Sequence, residues 1–290
     1  LRTIALFCAA AFLGHAASAQ AAPADPPPDP PVVPIKPSKI ILVGDSTTQV
    51  HSGWGGSFCA VRVVSTAACL NLARGGRSTK SYRAEGSWGL ALGEMKSPGY
   101  VGTWVLIQFG HNDQPGKPGR STDLVTEFPA NLRRYVEETR AAGATPILLT
   151  PLTRRAFANR RLVRDLDPWA AAVRSVAAEM KVPLVDLNAR SAAVMEAMGP
   201  AMATHYAELP ADANVVAAAL AGTTIEKAPV PAAPPPPPVT PLPNALPRVG
   251  TAPPVFDYTH LNRDGGDLFA AIVADELAVQ VPAMRPLLVP

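Results

Sequence analysis

Four short stretches of the chain carry side chains suited to moving an acyl group. Gly44-Asp45-Ser46 puts a serine hydroxyl just after the apolar run Ile40-Ile41-Leu42-Val43. Where a strand ends and a helix begins, free N–H groups and the helix dipole favour negative charge. A serine at that place is equally suited to capping the helix. Gly110-His111-Asn112-Asp113 follows the run Trp104 to Phe109, and the Asn112 amide can donate to a developing oxyanion. The same residue types also stabilise plain turns. Between these two stretches, Gly75-Gly76 allows backbone N–H groups to approach a ligand closely. A phosphate loop is excluded there, because the pattern G-x-x-x-x-G-K-[ST] is absent. Asp257-Tyr258-Thr259-His260 sets an acid three residues before a histidine. In one turn that acid can hold the ring Nδ1–H and leave Nε2 as a general base; the plainer alternative is a solvated Asp beside a loop His.

Singly, each stretch has an ordinary structural reading. Together they supply complementary parts: a nucleophile in Ser46, a base in His260 with Asp257 as its orienter, and oxyanion donors. The five histidines are scattered and form no metal-binding spacing with each other or with cysteine, so no metal and no other cofactor is expected. His111 reads as a supporting or packing residue, not a second base.

The elements that must position these residues alternate between strand and helix. Residues 40–43, 104–109, 146–149 and 183–187 are continuous apolar runs of strand length, with 68–72 a weaker fifth. Such runs suit strands buried on both faces of a parallel sheet. Leu124, Phe128, Leu132 and Tyr135 form one helical stripe; Trp169, Val173, Val176 and Met180 form another, opened by Asp167 as cap and Pro168 behind it. Leu268, Phe269, Ile272, Val273 and Leu277 mark a last helix, and the Ala-rich residues 207–228 could add one more. The alternation predicts an α/β domain of three layers, α/β/α, with a mainly five-stranded parallel sheet and its site at the strands' C-terminal ends.

Composition narrows the function classes. With 48% hydrophobic and 17% charged residues the chain is globular rather than disordered. A net charge of +3, with no basic run interleaved with aromatics, argues against a nucleic-acid partner. Arg2, the apolar stretch Thr3 to Leu13 and Ala17-Ser18-Ala19 read as a signal peptide over residues 1–19. That stretch is too short to span a bilayer as a helix, so no membrane partner is expected after cleavage and the protein should be secreted or periplasmic. Cys59 and Cys69 would then meet an oxidising compartment, where a disulfide and two buried thiols are both open readings. Residues 20–38 read as a Pro-rich linker, 39–280 as the domain with an Ala/Pro-rich insertion at about 200–254, and 281–290 as a tail. Pro234 to Pro238 lie in a row within that insertion, which suits an extended spacer more than a docking site. A monomer is favoured.

At these residues the sequence resembles the SGNH (GDSL-like) hydrolases, with Gly44-Asp45-Ser46, Gly76, Gly110 to Asp113 and Asp257 to His260 standing for their blocks in order. The resemblance implies a flavodoxin-like fold, Ser46 as nucleophile, His260 as base with Asp257 as its orienter, and an oxyanion hole from the Ser46 N–H, the Gly76 N–H and the Asn112 side chain. Thr48 stands where the G-x-S-x-G elbow of other hydrolases needs its last glycine, so that elbow is absent. A narrower resemblance, to rhamnogalacturonan acetylesterases, rests on Gly53-Trp54-Gly55, Gly76 to Tyr82, Phe109 to Asp113, Pro151 to Arg155 and Asp257 to Asn262. It implies an acetylated plant polysaccharide, such as pectin, as substrate. Trp54, Arg77, Trp88, Arg154 and Arg155 are candidate substrate-binding residues, since tryptophans stack on sugars and arginines pair with uronate carboxylates; buried packing for Trp54 and Trp88 and a solvated loop for Arg154 and Arg155 are the alternatives. Rival readings are an esterase or thioesterase for lipids or small acyl esters, a non-catalytic glycan-binding module, and an interaction protein working through its polyproline stretch. If that stretch is a spacer, deleting residues 229–250 should leave esterase activity at the wild-type level; a collapse of activity would give the stretch a part in the site.

Overall fold

The structure, a computed structural model, describes residues 34–225 and 256–289. The expected signal peptide, most of the linker and the Pro-rich stretch 229–254 lie outside the described residues.

Five parallel strands form the central sheet: β1 (Ser38–Gly44), β2 (Ala67–Asn71), β3 (Thr103–Gln108), β4 (Thr145–Leu149) and, last in the chain, β7 (Leu184–Val185). Their spatial order is β2-β1-β3-β4-β7, the flavodoxin-like order, with its switch point between β1 and β3. Strands β5 (Phe157–Ala158) and β6 (Arg161–Leu162) form a separate small hairpin, turned by Asn159 and Arg160 at positive φ. Helices are α1 (Gly55–Ser57), which runs into a π-helical turn (Phe58–Arg62), α2 (Ser81–Ala84), α3 (Ser87–Met95), α4 (Glu127–Ala141), α5 (Asp167–Met180), α6 (Leu187–Thr204), α7 (Ala213–Ala221) and α8 (Arg263–Gln280).

Period-two alternation along β1 assigns the two faces of the sheet. Ile40 and Leu42 pack with Trp54, Phe58, Met195, Phe269, Val273 and Leu277 on one side. Ile41 and Val43 pack with Trp88, Phe128, Leu132, Tyr135, Trp169 and Val173 on the other. The three-layer α/β/α expectation is therefore met. The inner strands β1, β3 and β4 read as continuous apolar runs because both faces are covered. Edge strand β2 is half-buried throughout, which accounts for its weaker signal.

Several boundaries differ from expectation. The run 183–187 yields a strand of only two residues, because Asp186 caps α6 and Leu187 begins it. Asp167 is the first residue of α5, not its cap; its carboxylate pairs with Arg164 at 3.0 Å, and Leu166 holds the cap position. The expected tail, 281–290, is no tail over residues 281–289: Pro282–Leu287 form a 3-10 helix, Met284 is buried and Leu288 bridges to Val63. Cys59 and Cys69 are joined by a disulfide that ties the π-helical turn to β2. No helix among the described residues is long and apolar enough to cross a membrane.

The segment after β1 folds back tightly against the sheet. Trp54 donates its backbone N–H to Thr47 O at 3.0 Å, and Asn71 Nδ2 donates to Thr48 O at 2.8 Å. Gly55 sits where a Cβ would lie 2.1 Å from that Thr48 oxygen and 2.5 Å from Asn71 Nδ2. Because the closest atom is backbone, Gly55→Ala should destabilise the fold by about 1–3 kcal/mol, as overpacking of a close-packed site does. Urea unfolding checks this; an unchanged midpoint would mean the segment relaxes freely.

Candidate active site

Ser46 stands two residues beyond β1, inside a turn in which the Thr48 and Gln49 N–H groups both donate to Asp45 O. The Asp45 carboxylate accepts from the N–H and hydroxyl of Thr47, at 2.9 and 2.8 Å, and so braces the turn from below. Gln108 closes β3 opposite Gly44. Its Oε1 accepts from both Thr48 Oγ1 and Trp54 Nε1, and its Nε2 reaches Thr150 O. One buried amide thus links the ends of β1, β3 and β4. Gly44 is required for this approach, since a Cβ there would stand 2.7 Å from both Gln108 O and Thr48 Oγ1.

His260 arrives from the other end of the chain, just before α8. Its Nε2 lies 2.9 Å from Ser46 Oγ, and its Nδ1 lies 2.6 Å from Asp257 Oδ2. The second Asp257 oxygen accepts the N–H groups of Thr259 and His260, at 2.8 and 2.7 Å. The three side chains form one line of hydrogen bonds, with Ser46 buried at its inner end. Burial by itself raises the Asp257 pKa, but the imidazole and the two backbone donors outweigh it and hold the carboxyl well below its usual range. Burial likewise lowers the His260 pKa, but the bond and charge of Asp257, with Glu208 and Asp45 behind them, raise it overall. The arrangement can accept a hydroxyl proton at His260 and keep the resulting charge beside an ionised carboxylate.

The expected oxyanion residues lie on two loops bound to each other. Gly76 has φ of +78°, a conformation that favours glycine. Asn112 Nδ2 donates to Arg77 O at 3.1 Å, while its Oδ1 accepts from Arg120 Nη1 at 3.3 Å. These two partners fix which way the amide points. Arg120 Nη1 also reaches Gly76 O, at 3.4 Å. Deeper down, the buried Asp113 carboxylate accepts from the Thr79 N–H and hydroxyl and from the Thr122 hydroxyl. Among the described residues, neither the Ser46 nor the Gly76 N–H has a protein acceptor. His111 is buried beneath Asp45, 3.6 Å from its carboxylate; burial keeps its pKa below the ordinary imidazole value.

Four of the expected substrate-binding residues are placed otherwise. Trp54 is fully buried, with its Nε1 on Gln108, and Trp88 is buried against Tyr135 with its Nε1 on Glu138. Neither offers a face to a sugar. Arg77 is held by Glu85 and Gly75 O. Arg155 is fully enclosed and turned away from solvent. Arg154 alone of the five stays at the rim, where Nε reaches Thr259 Oγ1 at 3.2 Å and the guanidinium pairs with Asp165. The sequence reading missed Arg120, Gln108 and Glu208. Only Gln108 left a signal, as a polar residue ending an apolar run.

Comparison with known proteins agrees with this architecture. The crystal structure of protein YxiM from Bacillus subtilis superposes with a TM-score of 0.55 at 23% identity, over 85% of this chain and 58% of that one. The chain thus spans somewhat more than half the length of that protein, and shares its fold. In sequence the chain is 33% identical over 167 residues to a probable rhamnogalacturonan acetylesterase, YesY, of Bacillus subtilis, covering 55% of this chain and 75% of that protein. It is 36% identical over 174 residues to the rhamnogalacturonan acetylesterase RhgT of the same organism, covering 57% and 71%. The two sequence relatives, together with a family match, define a carboxylic ester hydrolase. Residues 42–212 match the GDSL-like Lipase/Acylhydrolase family, and the chain belongs to that family. The matched segment holds Ser46, Gly76 and Asn112 and ends before Asp257 and His260.

With its pKa raised, His260 should titrate above the ordinary value of about 6.5. Activity that needs a neutral imidazole is full above that pKa and falls as pH drops through it. Glu208→Gln removes one negative charge acting on the ring, so the acid limb of kcat/KM should move to lower pH. An unmoved limb would show that Glu208 does not act on the ring.

Proposed function

We propose that this protein is an exported serine esterase that removes acetyl groups from a plant cell-wall polysaccharide, with acetylated rhamnogalacturonan as the substrate. The observation that carries the chemistry is the unbroken line Asp257–His260–Ser46, at 2.6 and 2.9 Å. The substrate rests on the relatives named above and on charge around the site. Lys117 and Arg120 stand beside the Asn112 loop, and Arg154 stands over the Asp257–His260 loop. An acidic polymer suits such a rim, because guanidinium forks pair with carboxylates. Export is supported by the signal-like N-terminal pattern and by the Cys59–Cys69 disulfide.

The reaction proceeds in two acyl transfers. His260 Nε2 takes the Ser46 proton as Oγ attacks the acetyl carbonyl carbon. The oxyanion that forms accepts hydrogen bonds from the Ser46 and Gly76 N–H groups and the Asn112 amide. Collapse breaks the ester C–O bond, and His260 passes that proton to the departing sugar oxygen, which leaves as a hydroxyl. Water, deprotonated by the same imidazole, then attacks the acetyl-serine. Acetate leaves, and Ser46 regains its proton. Asp257 stays ionised throughout and keeps Nε2 turned toward Ser46.

Acetate release from acetylated rhamnogalacturonan and from an aryl acetate tests both levels of this reading. The wild type should hydrolyse both, and Ser46→Ala neither. Asn112→Ala should stay folded and lose about 100- to 1000-fold in kcat, the usual effect of removing one oxyanion donor. Turnover of the aryl acetate alone would keep the esterase and remove the polysaccharide. Near-wild-type turnover by Asn112→Ala would take that amide out of the site.

A further inference from the structure

Arg155 was expected to meet substrate, yet its side chain has no exposed surface. A buried guanidinium must find partners for its donors or weigh heavily against folding. Arg155 finds them for its two terminal nitrogens in one place, while its buried Nε has none among the described residues. Its backbone N–H donates to Tyr258 O at 2.8 Å. Its Nη1 reaches Thr259 O at 3.3 Å, and its Nη2 reaches His260 O at 2.7 Å and Asp257 O at 3.4 Å. Each carbonyl of the segment from Asp257 to His260 is therefore turned onto this single residue. The other side of the segment is locked as well, because Asp257 Oδ1 takes the N–H groups of Thr259 and His260. Burial lowers the Arg155 pKa to about 10, with Asp257 opposing, so the cation persists at neutral pH.

We propose that Arg155 is a positioning residue for the reaction: it clamps the carbonyl side of the 257–260 loop and so holds His260 at hydrogen-bond distance from Ser46. This rests on the serine-esterase reading above. The clamp is supplied by the stretch after β4, whose place in the sheet is fixed by pairing with β3. The imidazole is thus referred to the same sheet that carries Ser46. A planar fork can address several carbonyls at once, and an ammonium cannot match that reach. Loss of the fork should let the ring wander, and displacements of about 1 Å at a reacting group cost on the order of 100-fold in rate.

The test uses Arg155→Lys and Arg155→Gln in the full chain, with unfolding curves to establish folding and Ser46→Ala as control. Either folded variant should lose about 10- to 100-fold in kcat on an aryl acetate, on the scale of such misplacement, with KM within about twofold of wild type. The low-field proton resonance of the His260–Asp257 hydrogen bond should shift or broaden. A folded variant with wild-type kcat and an unchanged resonance would overturn the clamp while leaving the esterase intact. So would a rise in KM at constant kcat, or failure of both variants to fold, which would make Arg155 a residue of the core. Activity surviving in Ser46→Ala would instead overturn the esterase reading itself.

Discussion

The 2.9 Å contact between His260 and Ser46 joins residues 214 positions apart, and most of the special structure around the site serves to hold it. Neither residue lies within a strand or helix. Each sits in a short turn braced from two sides: Ser46 by the Asp45 carboxylate and the Gln108 linkage, His260 by the Asp257 carboxylate and the Arg155 guanidinium. In both turns a carboxylate takes nearby backbone donors, one N–H at Asp45 and two at Asp257. In both, a polar group anchored near the strand ends supplies the opposing brace. Precision comes here from buried hydrogen bonds rather than from regular secondary structure.

The sheet explains why the site lies where it does. At the switch point the chain leaves β1 and β3 toward opposite faces, which opens a crevice at their carboxyl ends. Ser46 emerges on one side of it and Asn112 on the other. The Gly76 loop, following β2, is tied to the Asn112 loop through Arg77, Asp113 and Arg120. The cationic groups at the rim come from the loops after β3 and β4, so the proposed selectivity and chemistry use different residues on shared supports.

Much of this was legible in the sequence, for identifiable reasons. Inner strands announce themselves because burial on both faces forces continuous apolar runs. Ser46, Asn112 and His260 were legible because their types stand at strand ends or before a helix, where such groups serve chemistry. Edge strand β2 was faint because it is only half-buried, and β7 was read too long because the run 183–187 continues into the cap and first residue of α6. α6 was missed because its buried face, with Asn188 and Ser191 among Leu187, Ala192 and Met195, is no apolar stripe, and Gly199-Pro200 kinks its last part. Arg154 and Arg155 carry the same side chain one position apart, yet one lies at the rim and the other is enclosed by the base loop. No residue-type argument separates them; only the path of the backbone does. Trp54 and Trp88 posed the same ambiguity between a stacking surface and a core.

Ile225 and Tyr258 stand on either side of the stretch 226–255, and the Ile225 N–H donates to the Tyr258 hydroxyl at 3.2 Å. The described chain stops at Ile225 within reach of the Tyr258 side chain, beside the loop that carries His260. The closure cost of a connection between neighbouring ends grows only slowly with its length. Such a junction is a natural graft point: segments of very different size can be exchanged there over evolutionary time, or a whole domain fused in the laboratory, without altering the spacing of the residues that flank it.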